Sequence, residues 1–245
     1  MPRYKFTIEY DGSNYHGWQY QDNLPTLQNE IEIAIFKITH EHVRLQVSGR
    51  TDAGVHALGQ VAHADIKKEI DPFRFRHSLN HFFQGKGISI LETEVMDDTF
   101  HARFSTKART YVYKIINRRA PLTIDLNRAY HVPLPLNVDA MNKAAQFLIG
   151  HHDFTTFRAA SCQGLSPFKT LEQAEFTQTG HLIEFHTRSK SFLHHQVRNM
   201  VGALCLVGLG KWQPIQVQTA LLAKDRAAGG PTAPPEGLYL NQIIY

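Results

Sequence analysis

Cysteine is scarce in this chain of 245 residues, which contains only Cys162 and Cys205. Two cysteines cannot form a disulfide framework, and they lack the spacing of a zinc-binding Cys-x-x-Cys pair. Long apolar segments are also lacking, because the longest run, residues 200–209, is about half of what a membrane span requires. The N-terminus has no basic segment followed by an apolar one, as a secretory leader would have. These absences predict a cytoplasmic protein without a membrane partner.

Acidic residues are missing from two stretches, although the chain as a whole carries a net charge of only +4. Residues 99–117 and 185–224 contain no Asp or Glu, whereas each stretch contains several Arg and Lys side chains. Aromatic residues are interspersed among these basic ones in both stretches. Basic residues bind RNA phosphates and aromatic rings stack on splayed bases, so this pattern indicates an RNA partner. A solvated basic face above core aromatics is the plainer alternative.

Hydrophobic periodicity predicts an α+β fold in two halves. Residues 1–105 are predicted to form strand, helix, strand, strand, helix, strand, the order of ferredoxin-like and RNA-recognition folds. Residues 106–245 are also predicted to form both strands and helices, although their sequence does not repeat that of the first half. We therefore expect two such halves with mainly antiparallel sheets and a cleft between them. The predicted strands are residues 3–10, 43–47, 60–64, 88–96, 110–116, 169–177, 181–188 and 238–244.

Several familiar binding motifs are absent. Residues 208–211 resemble a phosphate-binding loop, but Trp212 stands where Ser or Thr would hold magnesium and Cys205 where the first glycine is needed. Gln213 breaks the dinucleotide-binding pattern in the same way. His77 and His81 lie four residues apart on a predicted helix, without the intervening Glu of a metalloprotease or a third ligand at a suitable spacing. We expect no cofactor and no metal.

The segment Ser48–Ala57, of sequence SGRTDAGVHA, lies between the predicted strands 43–47 and 60–64. Its glycines allow a close approach of backbones, and they flank Arg50 and Asp52. An arginine beside an aspartate favours the ionised carboxylate that a nucleophile or a general base requires. A simple polar turn is the alternative, because Ser-Gly and Asp-Ala-Gly are common in turns.

Two further positions are candidates for a site. A helix predicted over residues 192–207 places His194, Arg198 and Gly202 on one face, where Gly202 would let another backbone approach. Arg198 is then positioned to meet a partner across a packing interface, although a buried arginine paired with any nearby acid would look the same. Tyr111 lies on an alternating strand within a basic stretch, and it is either a base-stacking platform or a core tyrosine.

Six segments, in the same order along the chain, resemble the tRNA pseudouridine synthase A family from end to end. They are Tyr10–Gln19, Gly49–Ala57, Phe100–Ser105 continuing to Tyr111–Tyr113, His152–Arg158, Phe192–Gly202 and Ala233–Leu240. Thr106 is a mild departure, because a small residue such as Ala is expected there.

The resemblance implies the pseudouridine synthase fold and the isomerisation of uridine at positions 38, 39 and 40 of the tRNA anticodon stem-loop. It implies no cofactor, and it implies a homodimer with the tRNA anticodon arm as partner. Asp52 matches the catalytic aspartate, Tyr111 the tyrosine against the target base, and Arg198 the arginine that pairs with the aspartate. Arg50 resembles the residue that holds the nucleotide flipped out, and Leu240 (or Leu238) resembles the apolar wall of the pocket.

Two other functions are compatible with parts of the sequence. An RNA-binding module without catalysis would need only the basic and aromatic surface. A hydrolase with a carboxylate nucleophile would normally need a second carboxylate as its acid. No other acidic residue lies between positions 43 and 64, although one could be brought close by folding.

Overall fold

The computed structural model of the protein describes residues 1–160, 162 and 164–245. The chain forms two compact units, of which the first contains Met1–Lys107 and Leu240–Tyr245 and the second contains Ala108–Tyr239. Each unit contains both helices and strands, as the predicted α+β class requires. The predicted division into domains at residues 105 and 106 remains a prediction.

The first unit begins with the predicted order of elements. They are β1 (Arg3–Tyr10), α1 (Leu27–Thr39), β2 (Gln46–Val47), β3 (His56–Asp65), α2 (Pro72–Phe82) and β4 (Ile88–Met96). Thr26 and Asp71 cap the two helices, because their side-chain oxygens accept hydrogen bonds from Asn29 N and Arg74 N. Both caps were predicted.

Among the described residues, the second unit contains five strands and three α-helices before the last strand of the chain. They are β5 (Ala108–Asn117), β6 (Tyr130–Val132), α3 (Val138–Ala145), β7 (Gly150–Asp153), β8 (Phe168–Thr179), β9 (Leu182–Ser189), α4 (Gln196–Gly208) and α5 (Ile215–Ala223). The last strand is β10 (Leu238–Ile244), which belongs to the first unit from Leu240 onwards.

The strands of each unit are mainly antiparallel. In the first unit, β1 lies between β4 and β3, and β10 and the short β2 lie along the other edge of β3. In the second unit the order is β5-β9-β8-β7, with β6 parallel to β5. The alternating residues of β1 place Tyr4 and Phe6 against Phe75 of α2, with ring centroids 5.3 and 5.6 Å apart. This apolar face forms the core between sheet and helices.

The prediction of a strand over residues 43–47 is mostly wrong, because only Gln46–Val47 forms a strand and pairs with β3. Side chains of α1 bind the backbone of Leu45 instead. Leu45 N donates to Glu32 Oε1 at 2.8 Å, and Leu45 O accepts from Gln28 Nε2 at 3.5 Å. A backbone whose polar groups are bound by a helix cannot also form a sheet ladder there.

The helix predicted over residues 192–207 begins four residues later, at Gln196. His195 is left-handed, with φ 62°, and Gln196 Oε1 accepts from Leu193 N at 2.8 Å. The carbonyl of His194 accepts from Ala159 N at 2.9 Å. The prediction that His194 shares a helical face with Arg198 and Gly202 is therefore wrong.

The helix predicted over residues 137–149 is regular only over Val138–Ala145 and continues as a 3-10 turn through Leu148. Among the described residues, no helix is long and apolar enough to cross a membrane.

Candidate active site

The segment that carries Asp52 is a loop between β2 and β3, and its first two residues are fixed by hydrogen bonds to β3. Ser48 N donates to Val61 O at 2.8 Å. The buried Gln60 side chain donates through Nε2 to Gly49 O at 2.7 Å. Residues 56 and 57, which belong to the motif, are already part of β3. The loop is therefore anchored on the strand that it precedes.

The middle of this loop rests on the segment that follows β1. The hydroxyls of Thr51 and Tyr10 lie 2.7 Å apart in a buried hydrogen bond. Trp18 N donates to Thr51 O at 3.0 Å. At Gly17, whose φ is +85°, a Cβ would lie 2.8 Å from Thr51 O and 3.1 Å from the carbonyl carbon of Asp52. The loop after β1 thus requires glycine, because any side chain would push the backbone of Asp52 out of place.

The two charged residues of the loop differ in exposure. Asp52 is half-buried, whereas Arg50 is exposed. The guanidinium of Arg50 makes no hydrogen bond or ion pair with any residue that the structure describes. A cation at that place is available for an anionic ligand such as a phosphate.

Leu240 belongs to the same unit as Asp52 and is fully buried on β10. Because side chains alternate along a strand, Leu240 and Leu238 share one face of β10 and Tyr239 takes the other. Gly59 of β3 permits this strand to approach closely, since a Cβ there would lie 2.9 Å from Asn241 O.

Arg198 lies in the second unit, in the first turns of α4, and is half-buried. Its Nε donates to Ala233 O at 2.8 Å, while Ala233 N donates back to Arg198 O at 3.0 Å. The close approach predicted at Gly202 is confirmed, because a Cβ there would lie 1.8 Å from Pro231 O. The guanidinium is thus held by the backbone of the segment 231–233.

A buried polar network holds that segment in turn. Asn199 Oδ1 accepts from Thr232 Oγ1 at 2.6 Å and from Arg226 Nη2 at 3.2 Å. Its amide donates to Phe157 O at 2.8 Å. Tyr113, on β5, donates through its hydroxyl to Pro234 O at 2.7 Å. The backbone that fixes Arg198 is itself rigidly supported.

Tyr111, also in the second unit, is on β5 and is 8 % exposed. Its ring meets the ring of Phe192 edge to face, with centroids 5.1 Å apart. Phe192 stands four residues before α4, in the irregular segment that leads to Arg198. The mostly buried ring is held in one orientation, which suits a platform for a flat ligand as well as a core residue.

The contacts that orient these residues were not predicted from the sequence. They include Thr51 with Tyr10, Gly17 beneath Asp52, and Asn199 with its two donors. The family resemblance covers Tyr10–Gln19 and Phe192–Gly202 but assigns these residues no role. The glycine at position 17, between His16 and Trp18, is the feature of the sequence that indicates a close backbone approach.

Comparison with known proteins identifies the family. A family model described as tRNA pseudouridine synthase matches residues 7–105 and 144–245. The curated protein named tRNA pseudouridine synthase A from Rhizobium meliloti (strain 1021) is 51% identical over 247 residues, covering 100% of both chains. The proteins of that name from Nitrobacter hamburgensis and Bradyrhizobium diazoefficiens are 52% and 51% identical over 245 residues, again covering 100% of both chains. With similarity along its entire length and a family match in both units, the chain belongs to the tRNA pseudouridine synthase A family.

Proposed function

We propose that this chain isomerises uridine to pseudouridine at positions 38, 39 and 40 of the tRNA anticodon stem-loop, with Asp52 as the nucleophile. Pseudouridine synthases are isomerases, and the full-length similarity to proteins named tRNA pseudouridine synthase A is the observation that carries the proposal. The anchored, half-buried Asp52 in its glycine-bracketed loop supports the choice of nucleophile.

The reaction breaks the glycosidic bond between C1′ and N1, turns the uracil, and joins C1′ to C5. N1 gains a proton and C5 loses one, so the overall change is an isomerisation. The target base lies inside the stem-loop, and it must be flipped out before a side chain can reach it. Asp52 serves by attacking the sugar or the base, or by removing a sugar proton. In each case the carboxylate must be ionised and partly shielded from water.

The other four residues have supporting roles in this proposal. Arg198 pairs with Asp52 and stabilises its charge, and the backbone contacts at Ala233 support such a role because they fix the guanidinium. Tyr111 and Leu240 hold the uracil by its two faces, which keeps the detached base in place while leaving it free to turn. Arg50 helps to keep the nucleotide flipped out, and its exposure is consistent with that.

We further propose that the two halves are ferredoxin-like and together form a central cleft for the anticodon arm. The order β4-β1-β3, with β2 on the far edge of β3, supports this for the first half. We also propose that the protein is a cytoplasmic homodimer and that the reaction needs neither a cofactor nor a metal ion.

The test is pseudouridine mapping on an unmodified tRNA with uridines in the anticodon stem-loop. The wild-type protein should convert uridines 38–40, and Asp52→Asn should convert none while binding the tRNA nearly as well. Asp71→Asn is the matched control, because it is the same substitution at an exposed position. Asp71 is the N-cap of α2, and asparagine also caps helices. That variant should retain full activity.

The alternatives predict different results. Full activity of Asp52→Asn would falsify the choice of nucleophile. Binding without conversion by the wild-type protein would indicate an RNA-binding module, and release of free uracil would indicate a hydrolase.

A further inference from the structure

The turn formed by residues 101–105, which follows β4, presents the aromatic ring of Phe104 to solvent. Phe104 is 75% exposed. The ring of His101 lies against it, with centroids 4.3 Å apart and planes inclined by 36°. The guanidinium carbon of Arg103 lies 5.8 Å from the Phe104 centroid. The exposed face of this ring is therefore accessible to another molecule, and a histidine ring and a guanidinium lie beside it.

This turn is tied together by its own hydrogen bonds. Ser105 N donates to His101 O at 2.9 Å, and His101 N donates to Ser105 Oγ at 3.0 Å. His101 Nδ1 accepts from the backbone N–H groups of Arg103 at 3.1 Å and Phe104 at 3.4 Å. The backbone beneath the exposed ring is therefore well ordered.

The turn is also bound to the rest of the first unit. Ala102 O accepts from the hydroxyls of Thr106 and Tyr245, both at 2.8 Å. Ala102 N donates to His63 Nδ1 at 3.1 Å, and burial lowers the pKa of His63 to about 4. His63 is thus neutral near pH 7 and keeps Nδ1 as an acceptor. A ring mounted on such a support loses little entropy when it binds a ligand.

Thr106 connects this turn to the loop of Asp52. Its buried hydroxyl lies 3.0 Å from Ser48 Oγ, at the start of that loop. The departure from a small residue at position 106 therefore has a structural consequence, because an alanine could make neither this bond nor the bond to Ala102. The exposed ring and the proposed nucleophile are supported by adjacent parts of one unit.

The charge of the surroundings favours a nucleic acid over an apolar protein surface. No Asp or Glu occurs in residues 99–117, and Arg103 and Lys107, one and three residues from Phe104 in the sequence, are both exposed. Exposed aromatic rings next to cations are the combination that binds single-stranded nucleotides, where the rings stack on bases and the cations meet phosphates.

We propose that Phe104 stacks on an unpaired base of the tRNA substrate other than the uridine that reacts, with Arg103 and Lys107 close to the adjoining phosphates. This rests on the proposed function, and it adds a recognition surface outside the catalytic pocket. The surface holds the RNA next to the loop of Asp52 and takes no part in the chemical step.

The experiment measures the dissociation constant of unmodified tRNA and the single-turnover rate of pseudouridine formation. Phe104→Ala should weaken binding by roughly five- to a hundredfold, the range expected for one stacked base. At saturating tRNA its conversion rate should stay close to that of the wild type. Phe104→Trp should bind at least as tightly as the wild type, whereas Phe104→Leu should bind as weakly as the alanine variant.

Phe73→Ala is the matched control. Phe73 is 60% exposed in the same unit, and like Phe104 it contacts a histidine and an arginine, His77 and Arg76. Its replacement should leave tRNA binding unchanged. Chemical probing of the bound tRNA should also reveal one base that the wild type protects and Phe104→Ala does not.

Three results would overturn the proposal. They are wild-type affinity in Phe104→Ala, wild-type affinity in Phe104→Leu, and a changed oligomeric state in Phe104→Ala, which would make the ring a protein contact. If the wild-type protein binds tRNA but makes no pseudouridine, the proposed function fails while the binding series still tests the stacking.

Discussion

At the scale of single residues, Thr51 connects the loop of Asp52 to the sheet. Its side chain bonds to Tyr10 of β1, and its carbonyl accepts from Trp18 N. The residue next to the proposed nucleophile is therefore buried and held on two sides, although Asp52 itself is only half-buried. Rigid support of this kind is what a catalytic group needs, because small displacements cost large factors in rate.

Thr51→Val should test this support. Valine has nearly the same shape as threonine but cannot make the hydrogen bond, and losing a buried hydrogen bond costs about 1–3 kcal/mol. We expect a lower free energy of unfolding, a reduced kcat and little change in tRNA affinity. Thr51→Ser keeps the hydroxyl and should lose much less. A valine variant with the wild-type kcat would show that this bond does not position Asp52.

At the scale of elements, α4 and the segment 231–233 pack against each other through a close backbone contact and hydrogen bonds. Gly202 lets the two backbones meet, and Arg198 and Ala233 exchange two hydrogen bonds across the contact. The side chain of Asn199, one residue further along α4, binds the same segment through Thr232. The position of the guanidinium is thus decided by helix packing.

Gly202→Ala should show that this packing matters. Alanine favours a helix over glycine by about 1 kcal/mol, so any destabilisation must come from the clash with Pro231 O. We expect a net loss of about 1–3 kcal/mol, as for overpacked cores, measured by urea unfolding, together with a lower kcat.

The same substitution at Gly208 is the control for Gly202→Ala. Gly208 lies on the same helix, and the nearest atom to its Cβ would be Met141 Sδ, on a flexible side chain. Gly208→Ala should therefore cost less stability and leave kcat unchanged. Equal losses of stability and kcat in the two variants would contradict a specific role for the contact between Gly202 and Pro231.

At the scale of the whole molecule, the two compact units can be followed separately. The chain has two tryptophans, Trp18 in the first unit and Trp212 in the second. In a Trp212→Phe background, the fluorescence of the buried Trp18 reports on the first unit alone. This allows the effect of a single buried histidine on one unit to be measured.

The first unit should lose stability as the pH falls from about 6.5 to about 4. Burial lowers the pKa of His63 to about 4 from its ordinary value of 6.5. Between these two values the unfolded chain binds a proton at this residue that the folded chain does not, so acid favours unfolding. The full effect is on the order of 3 kcal/mol, reached below pH 4.

His63→Gln should flatten this pH dependence, since glutamine can accept the hydrogen bond from Ala102 but does not titrate. The change is measured as the free energy of unfolding at a series of pH values. His181→Gln, at the exposed turn between β8 and β9, is the control and should keep the wild-type slope. An unaltered slope in His63→Gln would contradict the assignment.

Most of the secondary structure could be predicted from the sequence. The limits of β1, β4 and β10 agree with the prediction, as do the caps at Thr26 and Asp71. Alternation and capping are local properties, and they depend on residues that are close in sequence. The motif around Asp52 and the family also follow from the sequence, because the order of residues in each of the six segments is specific to the family.

The errors lie where the backbone bonds to distant groups. Residues 43–45 look like a strand until Glu32 and Gln28 bind Leu45, and residues 192–195 look helical until Ala159 binds the carbonyl of His194. Local propensity is too weak to predict such tertiary competition.

The sequence by itself determined the class of fold, the family and the identity of Asp52 as the candidate nucleophile. Only the tertiary structure decided how Asp52 and Arg198 are supported, why Gly17 and Gly202 must be glycines, and that Phe104 is exposed on a rigid turn. The physical reason is that these features depend on contacts between segments far apart in the chain. A sequence pattern shows which side chains are present, and packing decides which atoms they meet.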